Sequence, residues 1–232
     1  MAKSVDQRYE QLRVAALLDQ HSGLRILPSR NDDLVFNGSL RFVVNGPENE
    51  SIEDQYDVEM RAHPGFPSVL PSVRETAGRI PASYHKLPGG KLCLGAPTAV
   101  RLALTLSPTL PTFVNRFVIP YLYGYSFYLK NGRMPYGELA HGDDGIRQYL
   151  AEMFSADFAT RPEEFLRLAG KKRRDANKRP CPCGSDRRLG RCHNRSVNGL
   201  RKQIGRHWFR EEYARVTRML MPARISASSK VA

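Results

Sequence analysis

A chain of 232 residues, 41% hydrophobic and 25% charged, is long enough for one sizeable core with a smaller appendage, and its composition excludes collagen-like and disordered classes. Its formal net charge of +13 is uneven: residues 1–160 hold 16 Lys and Arg against 17 Asp and Glu, while residues 161–232 hold 20 against 6. Any attraction to acidic partners therefore belongs to the last third, and a domain boundary is expected near residue 160. Residues 1–7 lack the apolar core of a secretory signal, and the longest apolar region, 117–129, is interrupted by Pro120, Gly124 and Ser126. The expectation is a cytoplasmic protein with no membrane partner, in which four cysteines serve as metal ligands or nucleophiles rather than disulfides.

In chain order, Ser4 and Gln7 make a capping box for a first helix with Tyr9, Leu12 and Ala16 on one face, ended by Ser22-Gly23. Leu34–Phe36 and Leu40–Val44 flank Asn37-Gly38 and read as strands joined by a turn. In residues 55–61, Tyr56, Val58 and Met60 alternate with polar neighbours, the pattern of a half-buried antiparallel strand. Residues 63–73 carry Pro64, Pro67 and Pro71, which predicts a rigid extended crossing. Thr112 is the expected cap of an apolar helix from Phe113 to about Leu129, kinked at Pro120 unless that residue lies near an end. Ile146, Tyr149, Leu150 and Met153 form a core stripe on a helix that follows Asp143-Asp144-Gly145.

The stretch Tyr84-His85-Lys86-Leu87-Pro88-Gly89-Gly90-Lys91-Leu92-Cys93-Leu94-Gly95 holds a cysteine beyond a glycine turn. A thiol reacts as its thiolate, so a working Cys93 needs partial exposure and nearby positive charge, which His85, Lys86 and Lys91 would supply. The other reading is a buried cysteine acting as a small hydrophobe between two leucines. Residues 136–142 form a second glycine-bounded polar loop whose His141 reads as a surface histidine, the alternative being a base turned toward Cys93.

Further on, Thr160 to Glu164 make a helix start running to Gly170, followed by the basic linker 171–174. Cys181, Cys183, Cys192 and His193 then offer three thiolates and an imidazole at a spacing that suits a closed, structural zinc site. That site claims every cysteine except Cys93. Leu200, Ile204 and Trp208, then Val216 and Leu220, mark a closing amphipathic basic helix; its arginines suit protein docking or solvent better than nucleic acid, which remains the secondary partner.

The order of helix, antiparallel strands, "PGFPSVLPSV" crossing, "YH", "GGKLCLG" and a helix after "LSPTLPTF" resembles the ubiquitin-conjugating enzymes over residues 5–154. The nearer resemblance is to divergent bacterial members, some encoded beside antiphage cyclic-oligonucleotide signalling (CBASS) genes. The segment from Cys181 to His193 resembles the SEC-C motif found at the end of the translocation ATPase SecA. The resemblance implies an α+β fold, a UBC-like antiparallel sheet packed with helices, over residues 1–155, a helix and basic linker over 156–180, and a zinc module with a basic helix over 181–232. It implies that Cys93 receives, as a thioester, the carboxyl terminus of a ubiquitin-like protein or a cyclic-oligonucleotide synthase, delivered by a separate activating enzyme or already activated. It also implies that His85 supports the active-site loop. Lys86-Leu87 stand where the family has Pro-Asn, so the family's oxyanion donor is missing at its usual position. A non-catalytic interaction scaffold and a basic nucleic-acid adaptor are the alternatives.

Overall fold

Alternation of apolar and polar residues is the strongest local signal in the chain, and it is realised over a longer stretch than residues 55–61. Strand β3 spans Ser51–Ala62 and buries Ile52, Tyr56, Val58, Met60 and Ala62 on one face. It pairs along its full length with β2 (Leu34–Asn45) and at its far end with β4 (Ser72–Glu75). With β1 (Leu24–Leu27), β5 (Lys86–Leu87) and β6 (Lys91–Leu92) these make a six-stranded antiparallel sheet in the order β1-β2-β3-β4-β6-β5.

The computed structural model describes residues 5–46, 50–135, 142–156 and 161–220, and its contacts divide the chain into two compact units, residues 1–137 and 138–232. His141 and Thr160 lie outside the described residues, as does the Ser4 cap. Among the described residues no helix is long and apolar enough to cross a membrane.

In the first unit the sheet packs against helices around one mixed α+β core. Helices α1 (Val5–Leu12) and α2 (Val14–Gln20) replace the single first helix expected, because Arg13 takes a left-handed conformation with φ 54°. The expected Asn37-Gly38 turn is not formed. Gly38 instead lies inside β2 at φ 135°, where an added Cβ would meet the Gly23 carbonyl oxygen at 2.1 Å. Glycine is needed there for close approach of two backbones, not for a reversal of the chain. The proline-rich crossing is likewise tighter than expected: the Phe66 and Val69 amides donate to the His63 and Gly65 carbonyls, the Phe66–Pro67 peptide is cis, and Phe66 is buried. Prolines here serve turn positions rather than an extended run.

Helix α3 spans Pro97–Ala103, and a composite helix follows. Its first turn, α4 (Leu110–Phe113), is capped by the Thr109 side chain, which accepts from the Thr112 amide, so the cap lies three residues before the expected Thr112. A π turn over Val114–Val118, in which the Ile119 amide donates to the Val114 carbonyl, leads into α5 (Ile119–Asn131). Pro120 is the second residue of α5, directly after the π turn, so the residue without an N–H stands where the hydrogen-bond pattern of the composite helix already changes.

The second unit is helical. Helices α6 (Gly142–Phe154), α7 (Glu163–Ala169), α8 (Arg173–Asn177), α9 (Asn194–Ile204) and α10 (Arg206–Leu220) surround a core that includes Leu150, Phe154, Phe165, Leu189, Val197, Phe209 and Val216. The Phe154 and Phe165 rings stack with centroids 5.1 Å apart. The closing segment is two helices rather than one, because Gly205 adopts φ 83° and ends α9.

Candidate functional sites around Cys93 and the Cys/His cluster

Cys93 follows directly on β6, and its partial exposure comes from the hairpin that delivers it. Strands β5 and β6 are joined by Pro88-Gly89-Gly90, with both glycines at positive φ, and Gly95 at φ 107° turns the chain away on the other side. Leu92 is buried and anchors the strand, while the Cys93 side chain is half-buried. The Cys93 amide donates to the His85 carbonyl at 2.9 Å. Thus His85 and Cys93 are brought together through the backbone.

His85 is held in a left-handed conformation, φ 36°, with its ring edge-on to Tyr84 at 5.0 Å. Sequence reasoning missed the residue that fixes this strained turn. Tyr121, near the start of α5, donates its hydroxyl to the Tyr84 carbonyl at 3.0 Å and to the His85 carbonyl at 3.3 Å. Burial, then the neighbouring Tyr84 and Cys93, push the Tyr121 hydroxyl above its ordinary pKa, so it stays a donor at physiological pH. Tyr84, Tyr121, Tyr125 and Tyr128 form a ring cluster behind the loop, and the Tyr84 hydroxyl reaches the Met134 sulfur at 3.4 Å. The only sequence signal for Tyr121 was its place in an apolar helix. Lys86 does not point its charge at the thiol: its Nζ donates to the Ile80 carbonyl at 2.5 Å and lies 4.0 Å from the buried Glu75 carboxylate.

The second cluster is built on a short knuckle. Pro180 bridges Arg188, the Cys181 amide donates to the Arg187 carbonyl at 2.8 Å, and Gly184 makes the turn at φ 74°. A 3-10 turn, Leu189–Arg191, with Leu189 fully buried, brings Cys192 and His193 back to the same point. One ligand atom from each of Cys181, Cys183, Cys192 and His193 lies within 4.8 Å of the other three, so the four form a cluster that can bind one metal ion. His193 Nδ1 is 3.2 Å from both the Cys181 and Cys192 sulfurs, and Cys183 is 3.5 Å from Cys192. On the far side of the ring, Nε2 is 3.0 Å from the Ser155 carbonyl. That contact requires the proton on Nε2, which leaves the Nδ1 lone pair facing the sulfurs. The Ser185 hydroxyl, with smaller help from the other ligand residues, holds the Cys192 thiol down to about 6, whereas burial pushes Cys181 up to about 12. None of the four cysteines is in a disulfide. The chain matches no known family model, no curated protein and no solved structure.

Proposed function

We propose that the protein is an acyl carrier of the ubiquitin-conjugating type, in which Cys93 takes the carboxyl terminus of a partner protein as a thioester and passes it on. The observation that carries this reading is the fixed, half-exposed Cys93 thiol at the end of a hairpin whose base is clamped by the Cys93 amide and the Tyr121 hydroxyl on the His85 carbonyl. The six-stranded antiparallel sheet packed with helices agrees with it. In the first step the Cys93 thiolate attacks the carbonyl carbon of an activated carboxyl terminus, a thioester or an adenylate. The new S–C bond forms as the donor's thiolate or AMP leaves. In the second an amine attacks the Cys93 thioester, an amide forms, the amine loses its proton and the thiolate is released. Because Lys86-Leu87 replace the family's Pro-Asn, the oxyanion must be met by other donors, for which the backbone amides of the Gly89-Gly90 loop are the proposed candidates. The activating step belongs to a separate protein, and bacterial antiphage defence is the proposed setting.

For the Cys/His cluster the proposed ion is zinc in a structural role. Three thiolates and one imidazole are the donors zinc prefers, and four such atoms all within 4.8 Å of one another suit one ion with sulfur about 2.3 Å away. Four protein ligands leave no position for water, so the ion stabilises the fold and takes no part in acyl transfer.

The deciding experiment is intact-mass spectrometry under non-reducing conditions, comparing wild type, Cys93→Ser and Cys93→Ala isolated from the native host. A hydroxylamine-sensitive protein adduct on wild type, a more durable oxyester on Cys93→Ser and nothing on Cys93→Ala are expected. Absence of any adduct in the presence of the neighbouring gene products would leave an interaction scaffold as the better reading.

A further inference from the structure

Five cations converge on one groove in the helical unit. Lys172 and Arg173, where α8 begins, face Asn198, Arg201, Lys202 and Arg206 from the end of α9 and the start of α10, around a volume of about 590 Å³. Arg201 forms the floor. Its guanidinium donates to the Leu168 carbonyl at 2.8 Å, to the Ala169 carbonyl at 3.0 Å and to the Asn198 amide oxygen, so it is a fixed charge rather than a mobile one. Burial above all, with Arg206 and Arg173 adding to it, pushes its pKa down. Lys172, Arg173, Lys202 and Arg206 are exposed, and among the described residues they make no ion pair. Among the described residues no carboxylate lines the groove.

We propose that this groove binds the phosphodiester backbone of a nucleic acid, without reading its sequence. Lining chemistry selects the class of ligand. A protein partner is normally held by apolar or aromatic anchors at the centre of its interface, and among the described residues no apolar side chain lines this groove. Bases are normally held by stacking on rings or by edge contacts in a groove of the duplex, and no described ring lines it either. What remains is a set of long, unneutralised cations, which gain affinity from phosphates by releasing condensed counterions. The Gly205 break is what assembles them: it turns the chain at φ 83° and sets Arg206 beside Arg201 instead of a further turn along one straight helix. The inference stands apart from the thioester reading, since it uses none of the residues around Cys93.

Fluorescence anisotropy of the full chain with labelled duplexes of two unrelated sequences, across a series of potassium chloride concentrations, tests the proposal. Lys202→Ala/Arg206→Ala is expected to weaken binding about tenfold or more for both sequences and to flatten the logarithmic salt slope by roughly 2, close to 0.9 per phosphate contact. Arg195→Ala/Arg218→Ala removes the same charge from exposed positions outside the groove and is expected to cost less than about threefold. Lys202→Arg/Arg206→Lys keeps the charge and should keep the affinity, which separates loss of phosphate contacts from loss of fold. The proposal fails if both alanine pairs weaken binding equally, if the charge-preserving pair loses as much as the alanine pair, or if the wild type does not bind at low salt. It also fails if polyglutamate, inorganic phosphate or a free nucleotide displaces the label as well as unlabelled duplex does, each of which would assign the groove to a different anion.

Discussion

Tyr121 contributes one hydroxyl to two carbonyls of the turn that carries His85, and through His85 to the amide of Cys93. Tyr121→Phe removes those bonds and leaves the ring packing in place. Loading of Cys93 should fall about tenfold while unfolding stability drops by only about 1 to 2 kcal/mol, measured by thioester formation and by denaturant melts. Asp54 illustrates a different kind of residue, one whose effect is read in pH. Burial raises its carboxyl, but the Arg79 guanidinium, paired with both carboxylate oxygens at 3.0 Å, and the Ser126 hydroxyl outweigh burial and hold it down to about 2 from an ordinary 3.8. A folded-state pKa below the unfolded one contributes stability that is complete only well above 3.8 and is lost as pH falls through that value toward 2. Acid melts of wild type should therefore lose more stability across that window than those of Asp54→Asn; parallel curves would refute the assignment. The cysteines were legible in the sequence because their chemistry resides in residue type and spacing. Tyr121 was not, because its partners are main-chain carbonyls 36 and 37 residues away, and nothing in a sequence marks a carbonyl that needs a donor.

Strand β2 shows how one element can hide inside a turn signal. Asn-Gly between apolar runs is a strong hairpin pattern, yet here the same pair continues a twelve-residue strand whose glycine faces Gly23. Gly38→Ala tests this directly. The added methyl would press on the Gly23 carbonyl in a backbone conformation hostile to side chains, so a loss of about 2 to 4 kcal/mol in unfolding free energy is expected, against about 1 kcal/mol if the position were an open hairpin turn with only its positive φ to oppose a side chain. The alternation in β3 was readable because burial on one face imposes a period of two. The break between α9 and α10 was not readable from apolar spacing, since Leu200, Ile204 and Trp208 keep a helical period of four across Gly205, whereas the structure buries Ile204 and Phe209, five residues apart on two different helices.

Each of the two units carries its own core, and charge composition alone does not mark where they divide. The step in charge falls near residue 160, whereas the contacts divide at Gly137, because Leu150, Ala151 and Phe154 of α6 are buried and Phe154 packs on Phe165 and Phe209. Charge reports which surface meets solvent; membership of a core is decided by apolar partners that may be distant in sequence. The Cys/His cluster sits against that second core, with His193 edge-on to Phe165 at 5.2 Å. Removing metal with a chelator should therefore speed amide exchange in α7, α9 and the knuckle while β2 and β3 keep their protection, as read by hydrogen exchange with mass spectrometry. Uniform loss across the chain, or no loss, would refute a structural ion confined to the helical unit. The π turn before α5 carries a last implication for the whole molecule's tolerance of length change. An α-helix advances by a rotation of about 100° per residue, so a single residue gained or lost in Val114–Val118 rotates everything after it by that angle relative to everything before it. Tyr121 would then swing off the Tyr84 and His85 carbonyls even though every side chain on α5 remained. The segment therefore behaves as a gear tooth: its count is locked to the loop that presents Cys93, while the buried Val114 and Val118 tie it to the core.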